Sequence, residues 1–298
     1  MNDQDNAPAR LLKVLSKHVV QLSCLDAKTE PEGTPTDVRN FDPKEFSITA
    51  FVISVRDVWF LVTAGHVLRD VEERLKTGRQ IVKSRLIDGF GTDETLPPIV
   101  FAFEDMPKCH VFSGGLDYAL IALRPLDVEN LIAGGVEPLS EGSWTDMPEE
   151  LDAYYLLGFP KQATDTTVDS RPDGGMVNVS TGTPLLPLRP ITDPPEEMKL
   201  DAERFHAEVM LPAGSGDGAD VCLTDISGMS GGPVFAIAHD GKKTLRYWVV
   251  AVQSSWLESS RILAACPIKP LVDDLVRCID QQQMELEDHE IPGGGDRA

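Results

Sequence analysis

The sequence predicts an all-β protein that carries a helix at its C-terminus. Short runs of β-branched and aromatic residues recur along its 298 residues, separated by Gly, Pro, Asn and Asp, a pattern typical of barrels and sandwiches. The runs form two groups of similar size on either side of residues 124–150, a stretch rich in Pro, Gly and Glu that is typical of a linker. We therefore expect two strand-rich domains with a sizeable core.

The N-terminal domain is predicted at residues 11–135. Its expected strands lie at residues 19–24, 46–55, 58–63, 80–82, 85–87, 99–103 and 116–123. The second and third of these predict a hairpin, because only Arg56 and Asp57 separate them. A helical segment is expected at residues 69–76, where Val71 and Leu75 are four positions apart.

The C-terminal domain is predicted at residues 150–267. Its expected strands lie at residues 153–160, 176–180, 204–211, 233–237, 247–254 and 262–266. Residues 183–197 hold five prolines, which argue against a central strand because proline has no N–H to donate. Apolar residues at helical spacing predict a C-terminal helix at 268–287. Residues 1–10 and 288–298 are expected to be flexible tails.

Composition and charge exclude several classes of function. The formal net charge is −21, from 27 basic and 48 acidic residues, and it disfavours nucleic-acid and anionic-membrane partners, which require a basic face. No apolar signal-peptide region follows the N-terminus, and no apolar run is long enough to span a bilayer. The five cysteines are scattered without a C-x-x-C pair, so we expect reduced thiols in a cytoplasmic location, with neither a disulfide framework nor a zinc site.

One stretch, residues 225–235, has the composition of a nucleophile loop. Small residues surround Ser230, and an apolar strand-like run follows. Such a loop brings backbone N–H groups together beside an exposed hydroxyl, which is what acyl transfer requires. The same stretch is also compatible with a tight glycine turn between two strands.

A base and an acid for this serine can be proposed from their surroundings. Among six histidines, only His66 lies where an apolar strand ends in Thr-Ala-Gly and a helical turn begins. Asp117 is flanked by apolar residues, where a carboxylate needs a hydrogen-bond donor such as an imidazole N–H. The alternative for Asp117 is a strand-edge residue that caps the preceding glycine turn. The weaker candidates Asp127, Asp152 and Asp220 lie in Pro- or Gly-rich segments.

The order His66, Asp117, Ser230 is that of the two-barrel serine proteases, and the surrounding motifs resemble one family. Thr63–His66 (Thr-Ala-Gly-His) resembles the Thr-Ala-Ala-His motif of trypsin-like peptidases, and Asp117–Leu120 (Asp-Tyr-Ala-Leu) resembles their Asp-Ile-Ala-Leu. Gly228–Pro233 (Gly-Met-Ser-Gly-Gly-Pro) is similar to their Gly-Asp-Ser-Gly-Gly-Pro. Leu157–Pro160 resembles the strand that opens the second barrel in bacterial members.

The resemblance implies two six-stranded antiparallel β-barrels of the trypsin-like type, with the site between them. By it, Ser230 is the nucleophile, His66 the general base and Asp117 the group that orients the imidazole. The backbone N–H groups of Gly228 and Ser230 would form the oxyanion hole, and the resemblance implies that no metal or cofactor is needed. Met229 replaces the aspartate that receives a newly cut N-terminus in digestive trypsins, so that activation switch is not expected.

The specificity pocket is expected from motif spacing in the same family. Its base would be Thr224, six residues before the serine, and one wall would include Ser254 and Ser255. These neutral residues predict small or medium uncharged side chains before the scissile bond, although the adjacent Asp225 could reach the pocket after a loop shift. Gly65, where the family has alanine, counts as a mild change.

The predicted function is a serine endopeptidase that cleaves a protein or peptide substrate. Two alternatives remain open at this point. One is a catalytically silent scaffold or binding module on the same fold, with the long loops at residues 69–98 and 183–220 contacting a regulatory protein partner. The other is an esterase, because a triad alone does not distinguish amides from esters.

Overall fold

The computed structural model describes residues 7–28, 44–77, 79–87, 99–101, 103–169, 176–199, 202–211, 223–239 and 244–290. The helices are α1 (Ala7–Leu15), α2 (Gly65–Lys76), α3 (Pro125–Ala133) and α4 (Ile268–Glu290). The strands of the N-terminal half are β1 (Val19–Lys28), β2 (Lys44–Val55), β3 (Val58–Thr63), β4 (Arg79–Ile87), β5 (Ile99–Val100), β6 (Lys108–Ser113) and β7 (Leu116–Ala122). Those of the C-terminal half are β8 (Ala153–Leu157), β9 (Thr164–Asp169), β10 (Met176–Thr181), β11 (Leu185–Pro190), β12 (Phe205–Val209), β13 (Pro233–His239), β14 (Leu245–Leu257) and β15 (Ile262–Pro267).

The N-terminal half is one antiparallel sheet of seven strands in the order β5-β4-β1-β2-β3-β7-β6, where the resemblance implies a six-stranded barrel. The predicted hairpin is present, because β2 pairs with β3 up to Val55 opposite Val58. Its two turn residues, Arg56 (φ 50°) and Asp57 (φ 63°), adopt the left-handed conformation that suits a two-residue hairpin. The second strand of the hairpin leads directly into α2, which begins only two residues after Thr63.

The C-terminal half is a closed barrel of six strands in the order β11-β12-β15-β14-β13-β8, with β9 and β10 as a separate pair. The predicted all-β class with a C-terminal helix is therefore confirmed. Strand β13 lies between β8 and β14 and is buried along almost its whole length. Because β13 begins at Pro233, the barrel anchors the segment that follows Ser230.

The prediction that residues 183–197 form no central strand is wrong, since β11 lies between β8 and β12 in the closed barrel. Its prolines are tolerated because each of its edges is paired over only a few residues. Pro187 lies opposite Tyr155 of β8, and its carbonyl oxygen accepts the N–H of Met210, directly after β12, at 2.9 Å. Pro190 lies at the end of the strand, opposite Ala207 of β12.

The two halves share part of their core. One apolar cluster lies within the N-terminal half and another within the C-terminal half. A third contains residues of both halves, such as Val62 and Phe235, together with Leu15 of α1 and Leu271 of α4. Helix α1 therefore begins inside the expected N-terminal tail, at Ala7, and packs on this shared core.

Two further expectations concern the segments outside the strands. Helix α3 occupies part of the expected linker at residues 124–150. Parts of the expected tails and loops lie outside the described residues, namely 1–6, 88–98, 212–222 and 291–298. Among the described residues, no helix is both long and apolar enough to cross a membrane.

Candidate active site

His66 and Asp117 are joined by two hydrogen bonds. His66 Nδ1 lies 2.7 Å from Asp117 Oδ2, and the backbone N–H of His66 donates to Asp117 Oδ1 at 2.7 Å. The side chain of Asp117 is only 2% exposed, whereas that of His66 is 24% exposed. Because a carboxylate can only accept, the ring proton lies on Nδ1, and the lone pair of Nε2 remains available to take a proton from a neighbouring group.

The start of α2 explains this contact. His66 is the second residue of the helix, and the preceding Ala64 makes no side-chain cap. The first N–H groups of a helix lack intrahelical acceptors, and a carboxylate placed there also interacts favourably with the helix dipole. Asp117 on β7 supplies both, and it therefore orients the backbone and the ring of His66 together.

Gly65 allows the strands β6 and β7 to approach the start of α2. A Cβ atom at this position would lie 2.4 Å from the carbonyl oxygen of Val111, 2.8 Å from that of Tyr118 and 3.0 Å from Asp117 Oδ1. The expectation that glycine in place of alanine is a mild change is therefore wrong. The backbone of these two strands leaves no space for a side chain.

The loop around Ser230 is held by its own backbone. Met229 N–H donates to Ile226 O at 3.0 Å, and Gly232 N–H donates to Met229 O at 2.8 Å. Gly228 (φ +97°) and Gly231 (φ +91°) adopt conformations that favour glycine. In the described part of the chain, the N–H groups of Gly228 and Ser230 have no acceptor, so two donors next to the hydroxyl remain available to a ligand.

This loop packs against the strand end that leads to His66. A Cβ atom on Gly231 would lie 2.0 Å from Thr63 Oγ1 and 2.5 Å from the carbonyl oxygen of Thr49. Thr63 precedes His66 by three residues, so Ser230 and His66 belong to two segments in direct contact. No hydrogen bond between Ser230 and His66 is present among the described residues.

The weaker acid candidates have other partners. Asp127 accepts hydrogen bonds from the backbone and the guanidinium of Arg124 at the start of α3. Asp152 accepts from the backbone N–H of His239 and contacts its ring at 2.8 Å, and both side chains are exposed. Asp220 lies outside the described residues. Asp117 is thus the candidate whose carboxylate contacts His66.

The residues expected in the specificity pocket are engaged within the protein. Thr224 is exposed, and its backbone N–H donates to Gln162 Oε1 at 3.0 Å. Asp225 accepts the N–H of Ser227 at 3.0 Å, which holds its carboxylate on its own loop. Ser254 is buried and donates to the carbonyl oxygen of Ala264 at 3.2 Å. The pocket formed by Thr224, Ser254 and Ser255 stays a prediction.

Arg204 was not anticipated as part of a site from the sequence, where it is the first residue of the strand predicted at 204–211. Its Nε donates to the carbonyl oxygen of Gly115 at 2.7 Å, and its Nη1 contacts Ser254 Oγ at 2.8 Å and Ser255 Oγ at 3.3 Å. It therefore links the turn before Asp117 to strand β14 of the other half.

Burial raises the pKa of the nearby Cys266 thiol. The thiolate that a competing cysteine nucleophile would need is therefore disfavoured.

An exposed aromatic ring lies beside His66 and also went unnoticed in the sequence. Phe112 is 48% exposed, and its ring centroid lies 6.3 Å from that of His66. The guanidinium of Arg69, one helical turn after His66, lies 4.0 Å from the Phe112 centroid.

In the described residues, no group of three or more His, Cys, Asp or Glu side chains could hold a metal ion.

Some of the solved structures that this chain resembles are those of proteases. No protein-family model and no curated protein matches it. The thermostable serine protease AL20 from an extremophilic microorganism is 14% identical, with 85% of this chain and 91% of that chain covered and a TM-score of 0.41. Deg5 is 11% identical (92% and 94% covered, TM-score 0.44), and the protease Anisep from Arthrobacter nicotinovorans is 14% identical (84% and 90% covered, TM-score 0.41).

Proposed function

We propose that this chain is a serine endopeptidase, with Ser230 as nucleophile, His66 as general base and Asp117 as the residue that orients the imidazole. The observation that best supports the proposal is the double contact of the buried Asp117 carboxylate with His66, at 2.7 Å to both the backbone and the ring. His239 makes the same two contacts with Asp152, but that pair is exposed, whereas the Asp117 carboxylate is buried and His66 adjoins the Ser230 loop. A general base must present Nε2 in one direction throughout the reaction, and a buried carboxylate holds the ring in that direction. The substrate is a protein or a peptide.

Acylation of the enzyme uses these groups in turn. Ser230 Oγ forms a bond to the carbonyl carbon of the scissile amide while its proton passes to His66 Nε2. The carbonyl oxygen becomes an oxyanion that accepts hydrogen bonds from the N–H groups of Gly228 and Ser230, each worth about 3–4 kcal/mol in comparable enzymes. The C–N bond then breaks, and the proton on His66 passes to the leaving amine, which leaves an ester on Ser230.

Deacylation repeats the sequence with water. The water gives a proton to His66 Nε2 and attacks the ester carbon, so the oxyanion forms again at the same two N–H groups. The bond between that carbon and Ser230 Oγ breaks, the proton returns to Ser230, and a carboxylic acid is released. Asp117 stabilises the charged imidazole in both half-reactions without itself taking up the proton.

Labelling with a fluorophosphonate probe tests this proposal directly. The probe should modify Ser230, identified by peptide mapping, and labelling should be lost in Ser230→Ala and in His66→Ala. Ser227→Ala is the matched control, because Ser227 is an exposed serine of the same loop whose hydroxyl has no assigned role. It should label as the wild type does.

Three results would contradict the proposal in different ways. A folded wild-type protein that never labels and cleaves no member of a peptide library favours the silent scaffold. Labelling together with hydrolysis of esters, but of no peptide, favours the esterase. Labelling that survives in Ser230→Ala assigns the nucleophile to another residue.

A further inference from the structure

Thr49 is a fully buried threonine of β2 whose side chain contacts the other half of the protein. Its hydroxyl donates to the carbonyl oxygen of Gly228 at 2.8 Å and accepts the backbone N–H of Phe159 at 3.0 Å. These partners are 179 and 110 positions away along the chain. No feature of the sequence around Thr49 had marked it as part of a site.

The bonds around Gly228 determine which way its peptide groups face. In a trans peptide the C=O and the following N–H point in opposite directions. The carbonyl oxygen of Ser227 accepts the N–H of Lys161 at 2.7 Å, so the N–H of Gly228 is directed away from Lys161. The carbonyl oxygen of Gly228 is held by Thr49, so the N–H of Met229 is directed to the opposite side, where it donates to Ile226.

Gly228 is tightly surrounded, and the directions of its two peptide groups depend on the hydrogen bonds to the carbonyl oxygens of Ser227 and Gly228. A Cβ atom there would lie 2.8 Å from Lys161 N and 3.0 Å from the carbonyl oxygen of Phe159, and φ is +97°. A glycine in this conformation rotates its peptide groups more freely than any other residue. The Gly228–Met229 peptide, whose carbonyl Thr49 holds, lies between the two peptides that carry the N–H groups of Gly228 and Ser230. Rotation of this middle peptide would therefore change the direction of one donor relative to the other.

Thr49 also contacts the segment that follows Ser230, through its backbone carbonyl oxygen. Thr63 Oγ1 donates to the carbonyl oxygen of Thr49 at 2.8 Å, and Gly231 packs against both groups at distances that exclude a side chain. Thr49 is therefore linked to the residues on both sides of the Met229–Ser230 segment. The strand that carries Thr49 also pairs directly with β3, which leads to His66.

We propose that Thr49 is a positioning residue of the oxyanion hole, which holds the Gly228 carbonyl so that the N–H groups of Gly228 and Ser230 stay directed at the reacting carbonyl. This inference rests on the proposed function of Ser230. Donors of an oxyanion hole act through their fixed orientation, so the Thr49 hydroxyl contributes to the rate without touching the substrate.

The test separates the rate of labelling from the fraction of molecules that label. Thr49→Val keeps the shape of the side chain and removes the hydroxyl, while Thr49→Ser keeps the hydroxyl. With the fluorophosphonate probe, Thr49→Val should label Ser230 completely, but with a rate constant about 10–100-fold lower, less than the full loss of a donor. Thr49→Ser should label within about threefold of the wild-type rate, because it still donates to Gly228.

Ser16→Ala is the matched control, because it removes a buried hydroxyl whose hydrogen bond among the described residues is to the Lys13 carbonyl oxygen, at 3.3 Å. It should label at the wild-type rate. A Thr49→Val protein that labels at that rate overturns the inference, whether its amplitude is full or reduced, since a reduced amplitude alone reflects partial unfolding. If Thr49→Val does not fold, a tenfold slower Thr49→Ser overturns it. A wild-type protein that never labels overturns the proposed function as well.

Discussion

Replacement of Gly65 by alanine tests whether the backbone of β6 and β7 holds His66 against Asp117. Alanine is the residue of the similar trypsin-like motif, and in most helices glycine to alanine stabilises by about 0.5–1 kcal/mol. Here the added Cβ would lie 2.4 Å from the Val111 carbonyl oxygen and 2.8 Å from that of Tyr118. Both atoms belong to backbone, and the two residues are paired in the same ladder.

The expected result is a loss of both stability and rate. Cβ contacts under 3.0 Å are essentially absent from proteins, so β6 must retreat by more than half an ångström or α2 must move. Such overpacking costs about 1–3 kcal/mol, which exceeds the gain in helix propensity. A shift of α2 also moves His66 from Asp117, and misplacement of a catalytic group by about 1 Å reduces rates by up to about 100-fold.

Urea unfolding and the rate of fluorophosphonate labelling measure the two effects. Gly142→Ala is the matched control, since nothing lies within 4 Å of a Cβ at that glycine, and it should change neither quantity appreciably. A Gly65→Ala protein that is as stable as the wild type and labels at the same rate would refute the reasoning. It would mean that the two strands have more freedom than these distances allow.

Three further outcomes are expected. Asp117→Asn should lower turnover by about four decades, because an amide does not select the Nδ1–H tautomer of His66; a near-wild-type kcat would mean that another acid acts. Burial lowers the pKa of His18 below its ordinary value of 6.5, so the unfolded chain takes up the proton first, and stability falls as the pH drops below about 6.5. His18→Gln should not show the loss of stability that protonation of His18 causes. The difference in unfolding free energy between this variant and the wild type should therefore change between about pH 7.5 and 5.5. A difference that stays constant over this range would contradict the assignment of the effect to His18. Arg204→Met should lower the free energy of unfolding by about 1–3 kcal/mol and raise KM more than it lowers kcat; an unchanged KM would argue against a substrate-binding role for Ser254 and Ser255.

Local signals in the sequence predicted much of the architecture. The hairpin at Arg56 and Asp57 follows from two apolar, β-branched and aromatic runs separated by a two-residue polar turn, and α4 follows from its apolar spacing, because both patterns are set by neighbours along the chain. The strand β11 was missed because proline is normally excluded from strand interiors. Its tolerance depends on which residues of β8 and β12 face it, and that is decided by barrel closure.

In the candidate site too, some residues could be predicted from the sequence and others were found only in the structure. His66, Asp117 and Ser230 could be selected from the sequence, because each lies in a short motif whose residue types suit its chemistry. The sequence did not indicate that Thr49 donates to Gly228, that Arg204 joins Gly115 to Ser254, or that Gly65 has no space for a methyl group.

By itself, the sequence determined the all-β class, the C-terminal helix and the three candidate side chains, since these depend on residue type and on spacing within a few positions. Only the tertiary structure decided how the carbonyl groups around Ser230 are held and how closely β6 and β7 approach α2. Hydrogen bonds and van der Waals contacts act over a few ångströms, and the residues that supply them here lie up to 179 positions apart. Their partners are chosen when the two halves pack together.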